Sequence, residues 1–479
     1  MENGVIVAIA IVTLVALLLV GVSVAISLAT SGIVGLLLLS GLDITNSVIA
    51  GTSFTAVAKG SLVVVPMFVL MGMLTLYSGI AEQLFAIAGR LLKWIPGSLA
   101  MASVLASAGF GAISGSSIAT VATMGRTCIT EMMRHGYHRS FAAATVAASG
   151  TLAVLIPPSI ILVLYGVITG ESIGALLLAG IIPGILSALV LTVSIGVLVW
   201  RKPALINQDN TQELAVAMAE SDAEAALVLH AGAGTAAATT KTPSSSDRPR
   251  EIGIKLTFGS TSRAILGVVV LFSIVIGGIY SGIFTPQESA AVGAFAAFLL
   301  ICAQYAKRPK LLRKNLTLAL KETATLNSMI FLILVGAGIF SYFLVVAGVP
   351  TAISEFAIGL PFPPTIIVIM LLLVMIPGGM FLDSISLLVI TVPLVYQPIM
   401  DLGFDGIWLG ILVVKLIEIG MITPPVGMNA FVAAGTTRGL EVEHVFKGLI
   451  PFYIADVATI IVIFMIPGLA TWLPTISAA

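Results

Sequence analysis

Two interruptions at matching places break a chain that is otherwise almost continuously apolar. The first half carries Ser114-Gly115-Ser116-Ser117 and then, in the next apolar stretch, Leu155-Ile156-Pro157-Pro158-Ser159. The second half carries Phe381-Leu382-Asp383-Ser384 and then Ile422-Thr423-Pro424-Pro425-Val426-Gly427. Ser116 to Pro157 is 41 positions, Asp383 to Pro424 is also 41, and the two sets lie 267 apart (383 less 116). Small, polar and Pro-Pro breaks at corresponding positions of two membrane halves point to helices broken at the bilayer midplane. There, freed backbone groups can hold a small ion and a substrate. The pattern reads as a transporter core.

The apolar background is what makes these breaks costly. Hydrophobic residues are 58% of the chain, charged ones only 9%, and mean hydropathy is +1.15, whereas globular chains carry about 25% charged residues. Val5–Val22, Ala264–Tyr280 and Leu449–Leu469 each approach or exceed the roughly 20 apolar residues that cross a bilayer. Met1-Glu2-Asn3-Gly4 lacks a basic leader and no small-residue cleavage site follows, so the first run reads as a permanent span. Zero net charge gives no argument for a nucleic-acid partner. Cys128 and Cys302 have no metal or disulfide spacing and read as small apolar packing residues.

Charge clusters orient the chain. Arg90 and Lys93 precede the segment 97–134, and Arg126, Arg134 and Arg139 follow or end it, so both of its ends are expected in the cytoplasm. It would enter, turn near Gly111–Ser117 and leave again as a re-entrant hairpin, tolerated only where protein or a cavity surrounds its tip. The flanks of 363–400 carry Glu355, Asp401 and Asp405 and no Lys or Arg, so the second hairpin would enter from outside. Arg201, Lys202 and Arg263, the run from Lys307 to Lys321, and Arg438 with Lys447 mark cytoplasmic segments; Lys59 is the one exception. Further matches support duplication. Ala179–Gly184 resembles Lys447–Phe452 at an offset of 268, and Ser78-Gly79-Ile80 resembles Ala347-Gly348-Val349 at 269. Two halves of opposite topology make an inverted repeat, 1–202 and 256–479. Residues 203–255 between them are Ala-, Thr- and Ser-rich and read as a cytoplasmic, disordered linker with one short helix around Gln212–Leu229.

Several residues could carry chemistry. Ser114–Ser117 offer hydroxyls and close backbone approach for a hard cation such as sodium, and a helix starting near Ser116 would aim its positive end at an anion. The alternative is a Ser/Gly helix-packing patch. Each Pro-Pro pair removes two backbone donors, which frees the carbonyls of Ala153 and Val154, and of Gly420 and Met421; a mere kink is the alternative. Thr423, Gly427 and Asn429 add polar and flexible groups beside the second pair. Asp383, after Gly378-Gly379 in an apolar region, could ligate sodium, carry a proton, or hydrogen-bond the hairpin tip. Lys415 and Glu418, three apart on one helical face, are expected to pair with each other, contact with substrate or a partner being the alternative. Thr285-Pro286-Gln287-Glu288 is a helix-capping sequence. His135, His138, His230 and His444 fall in expected loops without a metal motif. No phosphate-binding loop or acid–base–nucleophile set appears, so the chain reads as a non-enzyme with no cofactor.

At these motifs the chain resembles the large permease subunit of tripartite ATP-independent periplasmic (TRAP) transporters. The resemblance is carried by SGSSIATVATMGR at 114–126, GTLAVLIPPSIILVLYGVITGESIG at 150–174 and GIFTPQESAAVGA at 282–294. FLDSISLLVITVPLVYQPI at 381–399 and IEIGMITPPVGMNAFV at 417–432 complete it. The long insert at 203–255 departs from the pattern. The resemblance implies an all-α, polytopic, inverted-repeat elevator with two re-entrant helical hairpins in a bacterial or archaeal inner membrane. It implies sodium as coupling ion, a small membrane (Q-type) subunit and a periplasmic binding protein as partners, and small organic acids or related solutes as cargo. The candidate substrate- and ion-binding set is Ser114, Gly115, Ser116, Ser117, Gly150, Thr151, Pro157, Pro158, Ser159, Gly378, Gly379, Asp383, Ser384, Thr423, Pro424, Pro425, Gly427 and Asn429. Sodium would be held by Ser114, Ser116, Asp383, Thr423 and nearby carbonyls. A stand-alone ion-coupled carboxylate carrier, or a structural membrane subunit that transports nothing, are the alternatives.

Overall fold

The computed structural model describes residues 3–207, 267, 269–437 and 439–478. Among the described residues there is no strand. Eight helices among them are long and apolar enough to cross a bilayer, or nine if the bent pair Arg139–Leu155 and Ile160–Thr169 is one span. The first apolar run forms the helix Asn3–Leu19, whose buried stripe Ile6, Ala10 and Leu14 recurs every four residues and faces the next helix, Val24–Thr55.

Most of the insert, including Gln212–Leu229, lies outside the described residues. Its first residues do not: Pro203–Leu205 make one 3-10 turn, and the His138 N–H donates to the Leu205 carbonyl at 2.8 Å. The folded part of the first half thus extends past residue 202. His444, expected in a loop, lies in the first turn of Val442–Met465. The Thr285 capping box forms as expected: the Glu288 N–H reaches the Thr285 hydroxyl at 3.3 Å and the Thr285 N–H reaches Glu288 Oε2 at 2.8 Å. Lys59, the charge exception, donates to the Val167 carbonyl at 3.1 Å.

One pair matched in the sequence has the same local geometry. Gly79 and Gly348 both stand at φ 77°, each starting a helix in the left-handed conformation that glycine alone adopts freely. The halves also interlock. Val24–Thr55 of the first half packs along Pro309–Val346 of the second, and Pro286–Tyr305 of the second packs on Val64–Ser78 of the first. Small residues allow the long crossing: a Cβ at Gly336 would lie 2.2 Å from the Ala25 carbonyl oxygen, and one at Gly32 would lie 2.9 Å from Phe340 Cα.

Two helical hairpins sit against this frame. The first runs down Ser98–Ser114, turns at Gly115 and Ser116, and returns through Ser117–Met124, a π-helical turn and Thr130–Arg134. Gly115, at φ 61°, ends its first arm. The second runs through Pro364–Leu373 and Met375–Phe381, turns at Leu382 and Asp383, and returns along Ser384–Asp401.

Candidate functional site

Both hairpin tips begin their return helix in the same way, with a capping side chain followed by a serine. At the first tip Ser116 Oγ accepts the Ala119 N–H at 3.4 Å. Ser114 Oγ and Thr120 Oγ1 are 2.9 Å apart, and the Thr120 hydroxyl donates to the Ser116 carbonyl at 2.8 Å. At the second tip Asp383 Oδ2 accepts the N–H groups of Ile385 and Ser386 at 3.1 and 3.2 Å, and the Ser386 hydroxyl donates to Asp383 Oδ1. Of the three roles open to Asp383, its contacts here are those of holding the tip.

Each tip rests on the break of its own half. Pro157-Pro158 and Pro424-Pro425 are both cis. A Cβ at Gly115 would stand 2.9 Å from the Pro158 carbonyl oxygen. In the second half the Gly427 N–H donates to the Met380 carbonyl at 3.2 Å. Ser159 caps the helix after the first break, accepting the Leu162 N–H at 3.2 Å; Gly427, at φ 53°, precedes the helix after the second. One freed carbonyl is corrected: Gly420 accepts the Thr423 N–H at 3.0 Å, because the last turn tightens before the prolines. Pro157, Pro158 and Pro425 still remove the donors that a continuous helix would bring to Ala153, Val154 and Met421.

Gly150, Gly378 and Gly379 are small because something lies against them. Added Cβ atoms would meet Val121 Cγ2 at 2.2 Å, Leu387 Cδ1 at 2.5 Å and Gly420 Cα at 2.8 Å respectively. Thr151 donates to its own helix at the Ala148 carbonyl, 2.7 Å away. The four side chains expected to hold sodium each make their own contacts. Ser114 and Ser116 are tied together through Thr120, Asp383 caps the other tip, and Thr423 donates to the Ile419 carbonyl at 2.6 Å. Each hydroxyl oxygen retains lone pairs for a cation.

What joins the two tips is Glu418. The hydroxyls of Ser117 and Ser384 both donate to its Oε1, at 3.2 and 3.0 Å. These serines are the first helical residues of the two tips and are related by the repeat offset (384 less 117 is 267). The expected Lys415–Glu418 pair is corrected: the Lys415 ammonium is bound by Asp456 of Val442–Met465. Two residues three apart on a helix are neighbours, but a carboxylate on the facing helix offers Lys415 a direct partner. Lys415, Glu418 and Asp456 are each 1% exposed. Glu418 Oε2, Asp456 Oδ2 and both side-chain polar atoms of the buried Asn429 have no hydrogen-bond partner among the described residues. Asp456 was not singled out from sequence, although a carboxylate inside an apolar run is itself a flag. No group of three or more His, Cys, Asp or Glu suited to a metal occurs among the described residues.

A polytopic helical chain whose two hairpin tips and two proline-broken helices meet at a buried polar centre is a membrane permease. Residues 11–469 match the tripartite ATP-independent periplasmic transporter, DctM component. The chain belongs to that family, as a TRAP transporter large permease. It is 32% identical to the C4-dicarboxylate TRAP transporter large permease protein DctM of Vibrio cholerae, over 98% of each chain. It is 29% identical to the ectoine TRAP transporter large permease protein TeaC of Halomonas elongata, over 96% of this chain and 97% of that one. The fold also matches the YdaH transporter of Alcanivorax borkumensis, with a TM-score of 0.55 over 89% of each chain at 13% identity.

Proposed function

We propose that this permease takes up a small organic acid or related solute in symport with sodium, and catalyses no chemical step. A periplasmic binding protein would deliver the solute, and a small membrane subunit would complete the frame; an isethionate relative carries a fused name, DctMQ. The two hairpins would be re-entrant from opposite faces and move with the cargo against the interlocked long helices. The observation that carries the reading is the convergence of two related tips, Ser117 and Ser384, beside two matched Pro-Pro breaks. Helix starts and hydroxyls suit an anionic solute, and lone pairs of Ser, Thr and backbone carbonyls suit sodium. Relatives named for C4-dicarboxylates, sialic acid and ectoine lie within 27–32% identity, so the cargo is set by class and not by one name. The test is uptake into proteoliposomes holding the permease, its small subunit and the loaded binding protein. Uptake is expected only with an inward sodium gradient; uptake that persists without one refutes the coupling.

A further inference from the structure

We propose that Glu418 is the positioning residue that keeps both hairpin tips in register, one carboxylate oxygen serving as the shared acceptor for Ser117 and Ser384. The tips belong to different halves of the chain, 267 residues apart, yet their equivalent serines end on the same atom. Each hydroxyl has a single proton. Both also face Met421 sulfur, which is a weak acceptor beside a carboxyl oxygen. The proton therefore goes to Glu418. Lys415, one turn away, does not compete for this role, because Asp456 engages it. Nor can water substitute readily, since Glu418 is 1% exposed. Loss of Glu418 thus frees two tips at once, while loss of either serine frees one.

The test reads tip motion and not transport, so it stands or falls separately from the sodium-uptake reading. Amide hydrogen exchange is followed on the purified full chain at 116–120 and 384–388. Glu418→Ala is expected to speed exchange at both tips together, by about tenfold, because each buried hydroxyl loses its acceptor. Glu418→Gln, whose amide oxygen still accepts both hydroxyls, should stay within about threefold of wild type. Ser117→Ala and Ser384→Ala should each loosen their own tip, and adding either to Glu418→Ala should change nothing further. Acceleration at one tip only, at neither, or serine effects that add fully to Glu418→Ala would overturn the proposal. If Glu418→Ala does not fold, Glu418→Met, which fills the volume without an acceptor oxygen, takes its place under the same criteria.

Discussion

The crossing of Met375–Phe381 over Gly406–Ile422 predicts a sharp penalty for one methyl group. A Cβ at Gly420 would stand 2.6 Å from Gly379 Cα, 2.9 Å from its carbonyl carbon and 3.1 Å from the Ile376 carbonyl oxygen. All three neighbours are backbone of the second hairpin, so no side chain can swing away. Reaching ordinary contact at 3.4 Å requires the helices to part by about 0.8 Å. Overpacking of this kind costs about 1–3 kcal/mol, against about 1 kcal/mol gained from alanine's helix propensity. Because the obstacle is backbone, the upper part of the range applies, and Gly420→Ala should destabilise by about 1–2 kcal/mol. Gly435, on the last turn of Met428–Gly435, has nothing within 4 Å of its would-be Cβ. Gly435→Ala should therefore be neutral or stabilising by up to about 1 kcal/mol. The two variants are compared by thermal unfolding of the detergent-solubilised protein and by uptake normalised to expression. Gly420→Ala is expected to lower both, since it displaces the second tip relative to Thr423. If it matches Gly435→Ala in both assays, the close-crossing argument is wrong.

Other consequences are as direct. Lys415→Met leaves Asp456 buried without its partner and should cost about 3–5 kcal/mol, whereas Lys415→Met with Asp456→Leu should recover most of it; a stability cycle on the four proteins measures this. Asp383→Asn keeps a good capping oxygen and should hold wild-type stability, while Asp383→Ala should lose about 1 kcal/mol. Asp383→Ala is also expected to abolish uptake with insertion intact, and normal uptake by that variant would remove Asp383 from the site.

What could be read before the fold was known follows from the range of the interactions. The tips and breaks were legible because polar and proline residues in an apolar run are conspicuous, and the repeat supplied each with a second copy. The Thr285 cap was legible because it closes within three residues. The role of Glu418 was not: its partners lie 301 and 34 positions away. Local spacing instead favoured Lys415, whose actual partner is 41 positions on. The tightened turn that satisfies the Gly420 carbonyl depends on the backbone entering the second break, which proline content alone does not fix.

One acceptor serving two tips also limits how such a protein can be rebuilt. In the first half the position of Glu418 is held by Thr151 (418 less 267), buried and turned onto its own helix. A chain assembled from two copies of the second half would aim two glutamates at the same pair of serines. Each hydroxyl has a single proton, so neither glutamate could then hold both tips. Gene duplication can supply the outline of both halves, but this glutamate fits only one of them, and the halves are not interchangeable parts.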